Sequence, residues 1–124
     1  MTAQGSRYPE VYAAWKRDPQ AFWAQAAREI DWITPPTRIF DASAGVYGRW
    51  FTGATCNTCH NALDRHVATR GDQAALIYDS PMTGTKQVYT YAQMRREVAT
   101  LAAVLGDLGV VKGDRVIIYM PMIP

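Results

Sequence analysis

The sequence predicts an α/β fold, with a helical amino-terminal lead-in followed by the first strands and helices of a larger domain. Three observations carry this expectation. Apolar residues recur at helical spacing through the opening forty residues. Between Ala74 and Met120 the patterning then reads strand, strand, helix, strand. The run Arg115-Val-Ile-Ile-Tyr-Met120 has little alternation, as expected of a strand covered on both faces of a parallel sheet. Such a strand needs neighbours and crossover helices, which the letters up to Pro124 do not contain. The sequence therefore reads as a fragment of a larger fold.

Pro9 suits a first helical position, and Val11, Tyr12 and Trp15 follow at helical spacing. Asp18-Pro19 restarts the pattern as an N-cap and first turn. Phe22, Ala26 and Ile30 then share one face of a second helix, which Pro35-Pro36 ends. Trp15, Trp23, Trp32 and Trp50 all lie in this first part, so the helices are expected to dock on a larger body through their indoles. Residues 41–55 are rich in Gly, Ala, Ser and Thr and predict a loop with one short strand.

A helix is expected from Asn57 to Thr69, with Cys59, Leu63, His66 and Val67 on its apolar face and Gly71 as its stop. Leu63 should be buried, with Asp64 and Arg65 wet. Ala74–Tyr78 and Gln87–Tyr91 predict a hairpin with a long turn over 79–86, which holds Pro81 and Gly84. Thr90-x-x-Gln93 is a capping box that opens the longest helix. Met94, Val98, Leu101, Leu105 and Leu108 form its apolar stripe, expected to be buried, and Gly109 ends it. Lys112-Gly113-Asp114 turns the chain into the last strand.

With 48% apolar and 19% charged residues the balance is that of an ordinary globular protein. A net charge of +2 gives no basic stripe for nucleic acid, and Arg95-Arg96 reads as a solvated helix face. No run of about 18 apolar residues suggests a membrane span. The opening MTAQGSRYPEVYAAWKRDP is interrupted by charges, and with two cysteines a reducing cytoplasmic setting is expected.

The segments WFTGATCNTCHNALDRH, AALIYDSP, YTYAQM and LGVVKGDRVIIYMPMIP, in this order, resemble the start of AMP-forming acetyl- and propionyl-CoA synthetases. These belong to the adenylate-forming acyl/aryl-CoA synthetase superfamily. RDPQAFWAQAAREIDWITPPT looks like the amino-terminal extension of the short-chain members, so the resemblance runs over residues 8–124. CHNALDRH together with YDSP looks more like the propionyl-CoA enzymes. The resemblance implies residues 1–55 as the extension and 56–124 as the truncated start of the adenylate-forming domain.

For the parent enzyme the resemblance implies ATP, Mg²⁺ and CoA. A propionate or acetate carboxylate attacks the α-phosphate of Mg-ATP, giving acyl-adenylate and pyrophosphate, and CoA then displaces AMP. The phosphate loop, the carboxylates near ribose and magnesium, and the mobile carboxy-terminal domain with its Lys come later in that family and have no match here. No catalytic, cofactor-binding or metal-binding residue is therefore assigned. The expected partner is the remainder of the same polypeptide, and the fragment alone is expected to be inactive. By the general rule for open α/β sheets, Met120 to Pro124 would face a site.

Several sharper readings compete. Cys56-Asn-Thr-Cys59-His60 spells the c-type haem attachment pattern, with Met82, Met120 or His66 as a sixth ligand. The synthetase resemblance explains the same letters together with their neighbours. Zinc on Cys56, Cys59, His60 and His66 fails on reach, because Cys59 and His66 would stand roughly 10 Å apart on a helix, against metal bonds of about 2 Å. A C-x-x-C redox site needs a strand-to-helix setting, and the Cys pair sits at an expected helix start, so Cys56 reads as an incidentally reactive thiol, while packing is the expected role of Cys59. His60 and Asp64, four apart, read as a surface pair. Thr83-Gly84-Thr85-Lys86 lies between strands, not before a helix that could bind phosphate, and reads as a hairpin turn. The reading from another class is a stand-alone structural or interaction module.

Overall fold

The computed structural model describes residues 5–124, which form two compact units meeting in sequence at Asn61/Ala62. Among these residues no helix is long and apolar enough to cross a membrane.

The first unit opens with α1 (Tyr8–Arg17), which has Pro9 and Glu10 in its first turn and Lys16 and Arg17 in its last. That charge order complements the helix dipole. Tyr8, Tyr12 and Trp15 stack along one exposed face, with ring centroids 5.8 and 5.6 Å apart. Helix α2 (Pro19–Ala26) begins as the sequence predicts, with Asp18 Oδ1 accepting from the Ala21 amide at 2.9 Å.

It does not run on to Pro35. After Ala26 the chain tightens into a single 3₁₀ turn, Ala27–Glu29, and Ile30 is already extended. The reason is the aromatic and β-branched run that follows, which prefers a pleated ladder to a helix. Trp32–Thr34 forms β1, and the Trp32 indole N–H donates back to the Ala27 carbonyl at 2.8 Å.

The stretch expected as a loop also holds more strand than the single one anticipated. β2 (Arg38–Asp41) and β3 (Arg49–Thr52) pair antiparallel, with Phe40 opposite Trp50, and β4 (Thr55–Cys56) pairs with β1. Trp50 gathers the rings: Phe40 at 4.6 Å, Trp23 at 5.8 Å and Phe51 at 5.9 Å, while Trp32 packs on Phe51 at 5.5 Å. Three of the four indoles thus pack within their own unit, and Trp15 lies with the exposed rings of α1. Phe51 has φ +50°, a left-handed conformation that costs an aromatic residue about 1–3 kcal/mol and is held here by its ring contacts.

The second unit contains α3 (Arg65–Arg70), which continues a helix begun at Thr58 and widened by a π-helical stretch, His60–Asp64. Gly71 ends it as expected, in a right-handed conformation with φ −53°. A Cβ at Gly71 would lie 2.7 Å from the Val67 carbonyl, so the glycine serves close approach.

β5 (Ala74–Ser80) and β6 (Thr85–Thr90) form the hairpin, longer and with a tighter turn than predicted, since pairing continues to Ser80 opposite Thr85. Helix α4 (Tyr91–Asp107) starts on the capping box: Thr90 Oγ1 accepts from the Gln93 amide at 3.2 Å, and Gln93 Oε1 from the Thr90 amide at 2.8 Å. It ends in a Schellman motif, with Val110 N–H on the Leu105 carbonyl at 3.0 Å, Gly109 N–H on that of Gly106 at 2.9 Å, and Gly109 at φ +86°. α4 packs on α3 and on both hairpin strands.

Two expectations in this unit are corrected. The α4 stripe is not buried: Met94, Val98 and Leu105 are half-buried, while Leu101 and Leu108 are 58% and 75% exposed. Arg115–Met120 is also not a strand. The turn before it forms, with Gly113 at φ +106° and the Val111 amide donating to Asp114 Oδ2 at 2.9 Å, but the run pairs with nothing and Ile117 is 88% exposed. An extended segment forms a strand only where a neighbour takes its backbone donors and acceptors. Mixed α and β character is as expected, and among the described residues its strands form three two-stranded antiparallel ladders.

Candidate functional site

The segment from Cys56 to His66 carried the most chemistry in the sequence. Asn57 caps the helix start, its Oδ1 accepting from the His60 amide at 2.9 Å. Cys56 is the last residue of β4, opposite Trp32, and Cys59 lies in the first helical turn. Both thiols are free and exposed, so the packing role expected of Cys59 is corrected. Among the described residues no three His, Cys, Asp or Glu side chains converge as a metal site, and Cys56, Cys59, His60 and His66 are not gathered into one.

His60 does not pair with Asp64. Its Nε2 lies 3.4 Å from Asp31 Oδ2, because the π-helical stretch displaces the four-residue spacing of a regular helix. The neighbouring Asn61 makes the most elaborate polar contact in the segment. Its Oδ1 accepts from the Asp31 amide at 2.7 Å, and its Nδ2 donates to the Asp31 and Asn57 carbonyls, each at 3.0 Å. Sequence reading passed over Asn61, although an Asn beside a helix start is a general signal for a side chain that satisfies backbone groups.

Leu63 is buried as expected, at 9% exposure, whereas Asp64 and Arg65, expected to be wet, are half-buried. His66 is half-buried, its ring edge-on to Tyr91 at 5.4 Å, and the Arg70 guanidinium lies 4.9 Å from the centre of the same ring. This places a cation–π contact on the ring that opens α4.

The Thr83-Gly84-Thr85-Lys86 segment is a hairpin turn running into β6, with Gly84 at φ +64°. Lys86 stands opposite Asp79 in the ladder, and its Nζ lies 3.2 Å from Asp79 Oδ2. Met82 is exposed at the tip, and Met120 to Met122 project from the unpaired tail. The Asp41 carboxyl is held below the usual range by hydrogen bonds from the Ser43 hydroxyl at 2.7 Å and its amide at 3.1 Å, with Arg38 3.2 Å away.

Comparison with known proteins adds what this geometry alone does not. Residues 8–62 match the profile described as the acetyl-coenzyme A synthetase N-terminus, and residues 63–124, half of the chain, match that of AMP-binding enzymes. The chain belongs to the AMP-binding enzyme family.

Human acyl-CoA synthetase short-chain family member 3, named as mitochondrial, is 44% identical over 99% of the chain and 18% of its own length. Acetyl-coenzyme A synthetase of Bradyrhizobium sp. strain ORS 278 is 42% identical over 96% of the chain and 19% of its own. Acetoacetyl-CoA synthetase from Streptomyces lividans matches in structure with a TM-score of 0.76 and 38% identity, over 90% of the chain and 17% of that protein. The chain thus spans less than a fifth of the length of these AMP-binding relatives.

Proposed function

We propose that this chain is the amino-terminal part of an AMP-forming short-chain acyl-CoA synthetase. In this reading the whole enzyme activates propionate or acetate with ATP and Mg²⁺ to the acyl-adenylate and passes the acyl group to CoA. The observation that carries it is the 44% identity across 99% of the chain to a short-chain acyl-CoA synthetase. CHNALDRH with YDSP favours propionate.

Residues 1–55 are the extension and 56–124 the start of the AMP-binding domain. The described residues take no catalytic, cofactor or metal role in this reading. Phosphoryl chemistry needs a preorganised cationic cradle and a bound metal. Lys86, the cation of the Thr83–Lys86 segment that comes nearest to such a cradle, is engaged by Asp79 on a strand. The partner is the remainder of the same polypeptide. The exposed Leu101, Val104 and Leu108 of α4 and the unpaired Val116 to Met120 support this, since surfaces of that kind are ordinarily covered. A cytoplasmic location goes with the proposal, in keeping with two free thiols.

The test is pyrophosphate release with ATP, Mg²⁺ and each acid. The 124-residue chain is expected at background. A gene product extended to the length of the relatives is expected to be active, faster with propionate. Inactivity of the extended product across short-chain acids overturns the enzyme reading. Release by the short chain overturns the assignment of the chemistry to the remainder.

A further inference from the structure

The paired cysteines are not used by the function proposed above. Thiol–disulfide chemistry favours a strand that runs directly into a helix. The structure supplies that setting: β4 ends on Cys56, Asn57 caps, and Cys59 sits in the first helical turn. Both thiols are exposed. The turn between them is anchored, since Asn57 Oδ1 holds the His60 amide at 2.9 Å and Asn61 ties the Asn57 carbonyl to Asp31. Two accessible thiols therefore stand at the two ends of a short anchored segment.

We propose that Cys56 and Cys59 form a thiol-modification site that exchanges with low-molecular-weight disulfides and closes to an intramolecular disulfide. One thiolate attacks a sulfur of glutathione disulfide, forming a mixed disulfide and expelling one glutathione thiolate. The second cysteine loses its proton to solvent and attacks the protein sulfur of that mixed disulfide. The Cys56–Cys59 bond forms and the second glutathione leaves, so two protein thiols are oxidised as one glutathione disulfide is reduced. A disulfide needs Cα atoms about 4.4–6.8 Å apart, a span that a helical turn reaching back to Cys56 would supply. Cys56 sits just outside the helix, so closure draws it onto the turn and away from Trp32, its ladder partner. The oxidation state is thereby coupled to the β1–β4 ladder. An exposed disulfide in so short a loop belongs to the labile, reversible class.

The chain is incubated with glutathione disulfide, denatured, alkylated with N-ethylmaleimide and weighed intact by mass spectrometry. Both alkylation sites are expected to disappear with no glutathione retained, and both to return after dithiothreitol. Cys59→Ser is expected to hold one glutathione at Cys56, and Cys56→Ser one at Cys59, because neither variant can displace it. A wild-type chain that keeps both alkylation sites, carries two glutathiones, or joins into covalent dimers overturns the proposal.

Discussion

Replacing Asn61 with alanine removes three hydrogen bonds at once, at 2.7, 3.0 and 3.0 Å, two of them to the backbone of a residue thirty positions earlier. A typical intramolecular hydrogen bond contributes about 0.5–1.5 kcal/mol net. Asn61 is only half-buried, so water replaces part of what is lost, and the three together are expected to contribute about 1–2 kcal/mol. The readout is local. The Asp31 amide, which donates to Asn61 Oδ1, should exchange its hydrogen roughly 5–30 times faster in Asn61→Ala, the factor that corresponds to that energy. Asn61→Asp sharpens the test. It keeps the acceptor for the Asp31 amide but places a carboxylate oxygen against the Asp31 and Asn57 carbonyls, where a donor stood. It should therefore destabilise the segment at least as much as alanine does. An Asp31 amide whose exchange is unchanged in both variants would refute the clamp.

Leu63→Ala should cost about 2–3 kcal/mol in urea unfolding, the lower end of the usual range for a buried leucine, because its neighbours on the helix are only half-buried; a change within about 0.5 kcal/mol would mean the side chain is not a core contact. Gly48→Ala should lower the thermal midpoint by the equivalent of at least about 1 kcal/mol, since Gly48 has φ +67° and a Cβ there meets the Phe40 ring and lies 3.0 Å from the Asp41 carbonyl. An unchanged midpoint there would show that Phe40 moves aside freely. The lowered Asp41 titration means that its contribution to stability is present above the unfolded carboxyl pKa and is lost as pH falls through the folded value. Asp41→Asn should therefore flatten the acid limb of a stability–pH curve, and an identical limb in the variant would argue against the Ser43 contacts.

The local signals in the sequence translated well into structure where one residue type fixes one geometry. Asp18-Pro19 opened a helix, Thr90 and Gln93 closed a capping box, and Gly109 and Gly113 took the left-handed conformations their turns require. What failed were inferences about cover. The apolar spacing of Leu101, Leu105 and Leu108 marks one face, but spacing cannot say whether anything lies on it. The same holds for Arg115 to Met120, whose composition suits a strand but whose pairing depends on a neighbour. Of the short strands of the first unit only one, in residues 41–55, was expected, because two to four residues give too few alternations to register as a period, although the Trp32-Ile-Thr run carried the propensity. In the candidate site the His60–Asp64 pairing failed because regular helical spacing was assumed where the helix widens.

The double closure of α4 bears on the order in which the chain acquires structure. With the Thr90–Gln93 box at one end and the Gly109 turn at the other, both ends of the helix are completed by residues within a few positions of themselves. The hairpin before it is equally local, since β5 and β6 meet across the four residues from Pro81 to Gly84. Short-range contacts of this kind close cheaply in chain entropy and form fast. The stretch from Ala74 to Gly109 can therefore reach its native shape early during synthesis, with Leu101, Val104 and Leu108 of α4 still exposed.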